Sequence, residues 1–118
     1  HATIRRQRQM CIRDSYTAAQ AYRWQVFSKA SSLMHGETMG AEASYMKIFW
    51  SELDVDLHAT ALELLAERGE LLASAPDAIS EHDWMSGYLF SLSGPIYAGT
   101  NEIQRNIVAE RVLGLPRK

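Results

Sequence analysis

Cysteine is nearly absent: Cys11 is the only one in 118 residues. A disulfide framework and a Cys-based metal site are thereby excluded, and the usage fits a reducing, cytoplasmic setting. Long apolar runs are missing too. No stretch approaches the roughly 18 apolar residues of a membrane span, and no charged segment leads into an apolar export signal. Charge of one sign is not in excess. Twelve Lys and Arg stand against 14 Asp and Glu, a net charge of −2 that suits nonspecific nucleic-acid binding poorly. Internal repeats, low-complexity tracts and alternating strand patterns are absent, as are a nucleophile elbow, a phosphate loop, an HExxH pair and paired-carboxylate spacing.

The stretch RRQRQMCIRDS, Arg5 to Ser15, carries Arg5, Arg6, Arg8 and Arg13. No aromatic interleaves with them and no zinc or helix-turn-helix spacing follows, so a solvated tail is the better reading than a phosphate-binding arm. One reverse translation of this stretch resembles a transposase adapter used to prepare DNA libraries. Residues 1 to 15 are therefore expected to be non-native and are set aside from functional argument. Without them, Lys plus Arg falls from 12 to 8 and Asp plus Glu from 14 to 13, which moves the net charge from −2 to −5 and removes the only cysteine. The natural chain is expected to begin near Tyr16 as the end of a longer protein. What remains holds one small core or part of a larger domain.

Helical periodicity runs throughout. From Tyr16 to about Leu33, the residues Tyr22, Val26, Ala30 and Leu33 recur at helical spacing, and Gly36 and Gly40 bracket the turn that follows. A second helix is expected from Ala41 to about Arg68, some 40 Å by rise per residue, with Met46, Phe49, Leu53, Leu57, Ala61 and Leu64 on a three-to-four residue step and Gly69 as its C-terminal cap. Leu71 to Ile79 reads as a loop. Ser80 and Asp83 have capping-box spacing for a short helix over Trp84 to Leu92, which Gly94-Pro95 breaks. Asn101 is expected to cap a last helix with Gln104 at its third position, ended by Gly114 and Pro116.

The predicted fold is all-α, an antiparallel helical bundle. It does not read as complete by itself. Tyr45, Ile48, Phe49, Trp50 and Leu53 spread around more than one face of the second helix, and Trp24, Trp84, Tyr88 and Phe90 add aromatic area to a chain with few elements to bury it. Ordinary core accounts for part of this; a subunit or missing-domain interface accounts for the rest.

Asp54 and His58 share a helical face at an i, i+4 step that two metal ligands use. No third ligand is evident, so a helix salt pair is the better reading and no metal is expected. His35 and His82 sit near helix ends as capping or dipole partners.

One segment stands apart: Pro95-Ile96-Tyr97-Ala98-Gly99-Thr100-Asn101-Glu102-Ile103-Gln104-Arg105-Asn106-Ile107-Val108-Ala109-Glu110-Arg111-Val112-Leu113-Gly114-Leu115-Pro116-Arg117. A glycine just before a capped helix lets a ligand approach the backbone, and the free N–H groups there favour negative charge. From Ile96 to Arg117 the segment closely resembles the C-terminal signature of acyl-CoA dehydrogenases, I-Y-x-G-T-x-x-I-Q-R-x-I followed by A-E-R-x-L-G-L-P-R. The order and lengths of the helices from Tyr16 onward are similar to that family's C-terminal domain.

The resemblance implies a flavoenzyme of three domains, usually a tetramer, of which only the last is present. A carboxylate base in that family removes the α-proton of an acyl-CoA thioester while the β-hydrogen leaves as hydride to FAD, and electron-transfer flavoprotein or a similar acceptor reoxidises the flavin. Carried over by position, Gly99 lies beside the substrate, and Thr100, Asn101 and Glu102 contact FAD. Ala98 departs from the pattern. Many members carry the base there as Glu, and a methyl group takes no proton. Either the base comes from a glutamate on an earlier helix, the favoured account, or the chain resembles a non-catalytic partner in a hetero-oligomer. The stretch Tyr88 to Pro95 also lacks the Gly-Gly-Tyr-Gly-Tyr common in straight-chain enzymes, which places the chain among divergent, often bacterial, members. A small helical interaction module without chemistry and a member repurposed for non-redox acyl-CoA chemistry are the competing classes.

Overall fold

The computed structural model describes residues 2–78 and 83–117, and every regular element among them is helical. Helix α1 spans Ala2–Met34, α2 Glu42–Leu65, α3 Trp84–Ser91 and α4 Asn101–Arg111, with a 3-10 helix at Ala66–Glu70 continuing α2. The all-α expectation holds. Helix α2 is the hub, since α1, α3 and α4 each lie against it.

Helix α1 runs through Ser15 and Tyr16 without a break. Its Arg, Gln and Met residues before that point are good helix formers, and Cys11, Ile12 and Ser15 lie alongside α2. At the other end Gly36 takes φ 87°, its N–H donates to the Leu33 carbonyl at 3.1 Å, and His35 Nδ1 lies 2.7 Å from the Ser31 carbonyl. Those bonds satisfy last-turn carbonyls that the helix leaves unpaired, which is the capping role expected of His35.

Lys29 pairs with Glu42, Tyr22 stacks on Phe49 with ring centroids 5.9 Å apart, and Cys11 shares a surface hollow with Thr60 and Glu63. Numbers fall along α1 as they rise along α2, so the two helices are antiparallel. The seam differs from the expected one. Tyr22, Gln25, Lys29 and Ser32 are partly covered, whereas Val26, Ala30 and Leu33 face solvent beside Trp24 and Phe27. Small and polar side chains let α1 approach α2, and the bulky apolar ones are left for another partner.

Helix α2 ends earlier than its periodicity predicts. Ala66 takes φ 53° and closes it, and Gly69 lies buried in the 3-10 helix without a left-handed φ. A Cβ on Gly69 would meet Leu62 Cδ2 at 3.1 Å, so close packing rather than capping is what glycine provides there. Helix α3 begins at Asp83, whose carboxylate accepts from Ser86 N at 2.9 Å and from Ser86 Oγ at 2.7 Å. Those bonds hold the Asp83 carboxyl below the ordinary carboxylate range. Asp83 is thus the N-cap itself; Ser80 and His82 lie outside the described residues.

Among the described residues no hydrophobic side chain is fully buried, and the buried positions are Ser44, Ser51, Ser91 and Asn101 with the glycines Gly69 and Gly94. The radius of gyration is 17.9 Å, where a compact chain of this length has about 13.5 Å. Accessible surface is 8845 Å², against about 6,450 Å² for a monomer of this mass. Both excesses point the same way. The helices meet through a small polar knot and turn their large apolar residues outward.

Candidate functional site

The chain enters the site through two turns. After α3, Ile96 N and Tyr97 N both donate to the Ser93 carbonyl at 2.9 and 3.0 Å, and the Tyr97 ring packs 6.0 Å from that of Trp50 on α2. Two successive left-handed residues follow, Ala98 at φ 54° and Gly99 at φ 87°. An alanine in that region costs about 1–2 kcal/mol, so the surroundings must hold it. Gln104 Nε2 donates to the Ala98 carbonyl at 3.0 Å, and Asn101 N donates to the Pro95 carbonyl at 2.9 Å. The turn is clamped from both sides.

Gly99 is exposed, and a Cβ there would lie 2.8 Å from Gln104 Nε2, the atom that holds Ala98. The absent side chain serves two ends: it permits the backbone angle and leaves Gln104 in place. Ala98 is also exposed, so the position at which the resemblance places a base faces outward.

Thr100, not Asn101, is the N-cap of α4. Its Oγ1 accepts from Ile103 N at 3.4 Å, and its hydroxyl donates to the Glu102 carboxylate. Glu102 also accepts from its own backbone N–H and stands 3.7 Å from Arg105. Its own N–H first, the Thr100 hydroxyl next and the nearby cations last hold its carboxyl below the ordinary range. A carboxyl held below its ordinary range is a weaker proton acceptor than a free one.

Asn101 sits differently from its neighbours in the motif. It is 3% exposed, and its side chain turns toward α2. Oδ1 accepts from Lys47 Nζ at 2.7 Å and from Ser51 Oγ at 3.1 Å, while Nδ2 donates to Glu52 Oε1 at 3.3 Å. Glu52 in turn pairs with Arg105. The orientation of the amide is forced, because an ammonium cannot accept and a carboxylate cannot donate. The sequence pattern does not single out Lys47, Ser51 and Glu52, although Ser44, Lys47 and Ser51 recur at a three-to-four residue step along α2.

Asp54 and His58 are brought together, with His58 Nδ1 at 2.9 Å from the Asp54 carbonyl and 3.4 Å from Asp54 Oδ1. The His58 ring leans on Trp84, 6.4 Å between centroids. An apolar hollow lined by Tyr16, Leu57, Ala61, Leu64 and Trp84 adjoins them. Among the described residues no group of three or more His, Cys, Asp or Glu gathers as metal ligands, and no helix is long and apolar enough to cross a membrane.

For a flavin the residues present offer an exposed glycine backbone at Gly99, the partly exposed Thr100 and the exposed carboxylate of Glu102. The Asn101 side chain is already committed within the chain.

The described helices leave large apolar side chains uncovered, and a clamped left-handed turn opens α4. The chain belongs to the acyl-CoA dehydrogenase family: the model of the acyl-CoA dehydrogenase C-terminal domain matches residues 7–113. It is 38% identical over 105 residues to acyl-CoA dehydrogenase IpdE1 of Mycolicibacterium smegmatis, covering 89% of this chain and 24% of that protein. Among solved structures, the ChsE4-ChsE5 complex from Mycobacterium tuberculosis superposes with a TM-score of 0.82 at 28% identity, over 94% of this chain and 28% of that one. The Tcur3481-Tcur3483 steroid ACAD, at 22% identity, shares the fold with a TM-score of 0.86 over 94% of this chain and 29% of that one. The chain thus spans about a quarter of the length of the relatives it matches.

Proposed function

We propose that this chain is the C-terminal helical part of an FAD-dependent acyl-CoA dehydrogenase that desaturates an acyl-CoA thioester between its α and β carbons. The observation that carries the reading is the clamped turn from Ala98 to Thr100 at the head of α4, within a chain that matches the family from residue 7 to 113. Gly99 would leave its backbone open to the thioester end of the substrate. Thr100 and Glu102 would present the hydroxyl and carboxylate that hold FAD, with the N-terminal charge of α4 behind them. FAD, when bound, accepts the hydride from the β-carbon. Ala98 supplies no base, and the lowered pKa of the Glu102 carboxyl makes it a weaker proton acceptor than an ordinary carboxylate. Proton abstraction is therefore assigned to a carboxylate on an earlier helix of the same polypeptide that reaches the exposed face of Ala98.

A second reading makes the chain the non-catalytic member of a hetero-oligomer, most simply a tetramer, with the base supplied by a partner subunit. Ala98 favours it, as does likeness to a structure that is itself a two-protein complex. Electron-transfer flavoprotein or a similar acceptor completes either account. The cytoplasm is the proposed location, and residues 1 to 15 are proposed as adapter-derived, which resequencing the source DNA upstream of Tyr16 decides.

The test is the full-length gene product, purified with its bound flavin and mixed anaerobically with acyl-CoA thioesters. Bleaching of the flavin band supports desaturation. A protein that carries no flavin, alone or with a co-expressed family subunit, sinks the proposal.

A further inference from the structure

We infer that Asn101 is a positioning residue: it sets the Ala98–Gly99–Thr100 turn through α2 and touches neither flavin nor substrate with its side chain. The inference rests on the proposed function and departs from the motif, which by position puts Asn101 among the flavin contacts. Four observations carry it. Asn101 is buried, in contrast to Ala98, Gly99 and Glu102 around it. Both ends of its amide are occupied, Oδ1 by Lys47 and Ser51 and Nδ2 by Glu52, residues some fifty positions away. Its backbone N–H is used as well, donating to Pro95 O at 2.9 Å, so the residue closes the 95–101 turn and ties that turn to α2 with one side chain. And α2 offers a fixed platform, because Ser51 is fully buried and Gly94 leaves no gap above it.

A buried amide engaged at both ends specifies one geometry, and losing one partner costs more than losing an exposed contact does. The reacting groups of a desaturase must be held to within a fraction of an ångström, so a slack α4 head loses turnover rather than substrate affinity. Asn101→Asp changes a single atom in the network. It keeps acceptors for Lys47 and Ser51 but sets a carboxylate oxygen against Glu52 Oε1, where Nδ2 now donates. Glu52→Gln restores a donor at that contact. Its own cost is small, since the Glu52–Arg105 pair it weakens is about half exposed on both sides.

The experiment compares wild type, Asn101→Asp, Glu52→Gln and the double variant in the full-length, flavin-loaded enzyme. It reads the flavin absorption spectrum, FAD retention on dilution, kcat and KM. Asn101→Asp is expected to shift the flavin band and to lower kcat between about tenfold and 100-fold with KM little changed. The double variant is expected to recover both spectrum and kcat. A wild-type spectrum and rate in Asn101→Asp, or no recovery in the double variant, overturns the inference and leaves the proposed function standing. A wild-type protein without flavin overturns both. Should Asn101→Asp alone fail to fold, Lys47→Gln reads the same tie from the α2 side: an unchanged spectrum and kcat there overturns the inference, and a shifted spectrum with KM unchanged supports it.

Discussion

Gly94 and Ser51 are in contact: a Cβ added to Gly94 would lie 3.4 Å from Ser51 Cβ and 3.0 Å from the Ser91 carbonyl oxygen. The close approach brings the segment after α3 onto α2 and so fixes where the Ala98 turn begins. Gly94→Ala is expected to destabilise the fold by about 1–3 kcal/mol, because the nearest obstacle is a backbone carbonyl that cannot swing aside. Denaturant unfolding of the full-length protein measures it. A midpoint equal to wild type would mean that the contact is slack.

How much of this was legible in the sequence depends on what each residue answers to. The existence of α2 and α4 follows from their apolar steps, and the cap of α3 from Asp83, because these are local effects. The cap of α4 lies one position before the expected one: Thr100 and Asn101 are both good N-cap types, and only the tertiary partners Lys47, Ser51 and Glu52 draw Asn101 inward. On α1 the apolar period was read correctly but faces the wrong way. Val26 and Leu33 look outward because periodicity says that a face is buried without saying by what. Gly69 stands at a capping position in the sequence but is a packing glycine, a distinction that depends on Leu62 lying above it.

Gly99→Ala tests the turn itself. The new methyl sits in a left-handed conformation at φ 87° and displaces Gln104 Nε2, which holds the Ala98 carbonyl. A loss of about 1–2 kcal/mol is expected from the backbone alone. Flavin retention should fall further than that strain accounts for, because the close approach to Gly99 is blocked. A comparison with Gln104→Ala separates the two effects: it frees Ala98 without filling the space above Gly99.

Glu42 carries the clearest pH signature. Its pairing with Lys29 first, and backbone N–H groups of its own residue and Gly40 next, lower its carboxyl from 4.5 to about 2. The same pairing raises the Lys29 ammonium above its ordinary 10.5. A depressed carboxyl favours the folded state above its unfolded value and loses that advantage as pH falls through the folded one, so this contribution fades between about pH 4.5 and 2. For Lys29 the sign reverses: the contribution is complete below 10.5 and fades as pH rises beyond it. A carboxyl-carbon NMR titration with and without Lys29→Met checks it. Glu42 should titrate higher in the variant but still below its ordinary value, because the backbone N–H groups remain, and an unmoved midpoint would show that the pair is not formed in solution.

The outward apolar residues set the behaviour of the 118-residue chain by itself. Trp24, Tyr16, Phe90 and Met34 are each at least 65% exposed, and Leu113 and Ile96 add to them on the α4 side. A chain with this surface is expected to bind a hydrophobic dye and to self-associate, and its thermal transition should be broad. Sedimentation together with calorimetry gives the answer. A sharp, concentration-independent monomeric melt would return the small helical module to first place.

Ala98→Glu distinguishes the two sources of the base. The position is exposed and already left-handed, and the new side chain adds a carboxylate where the resemblance places the base. If an earlier helix of the same polypeptide already supplies a glutamate, two like charges meet over one α-proton. Each then raises the other's pKa, so turnover at neutral pH falls and its acid limb moves to higher pH. In a subunit whose own site lacks a base, the same substitution creates one, and a silent flavin begins to bleach with acyl-CoA. The first outcome is expected here, from the pH profile of kcat/KM in the full-length enzyme. A gain of turnover in place of the loss would assign this chain to the non-catalytic side of a hetero-oligomer.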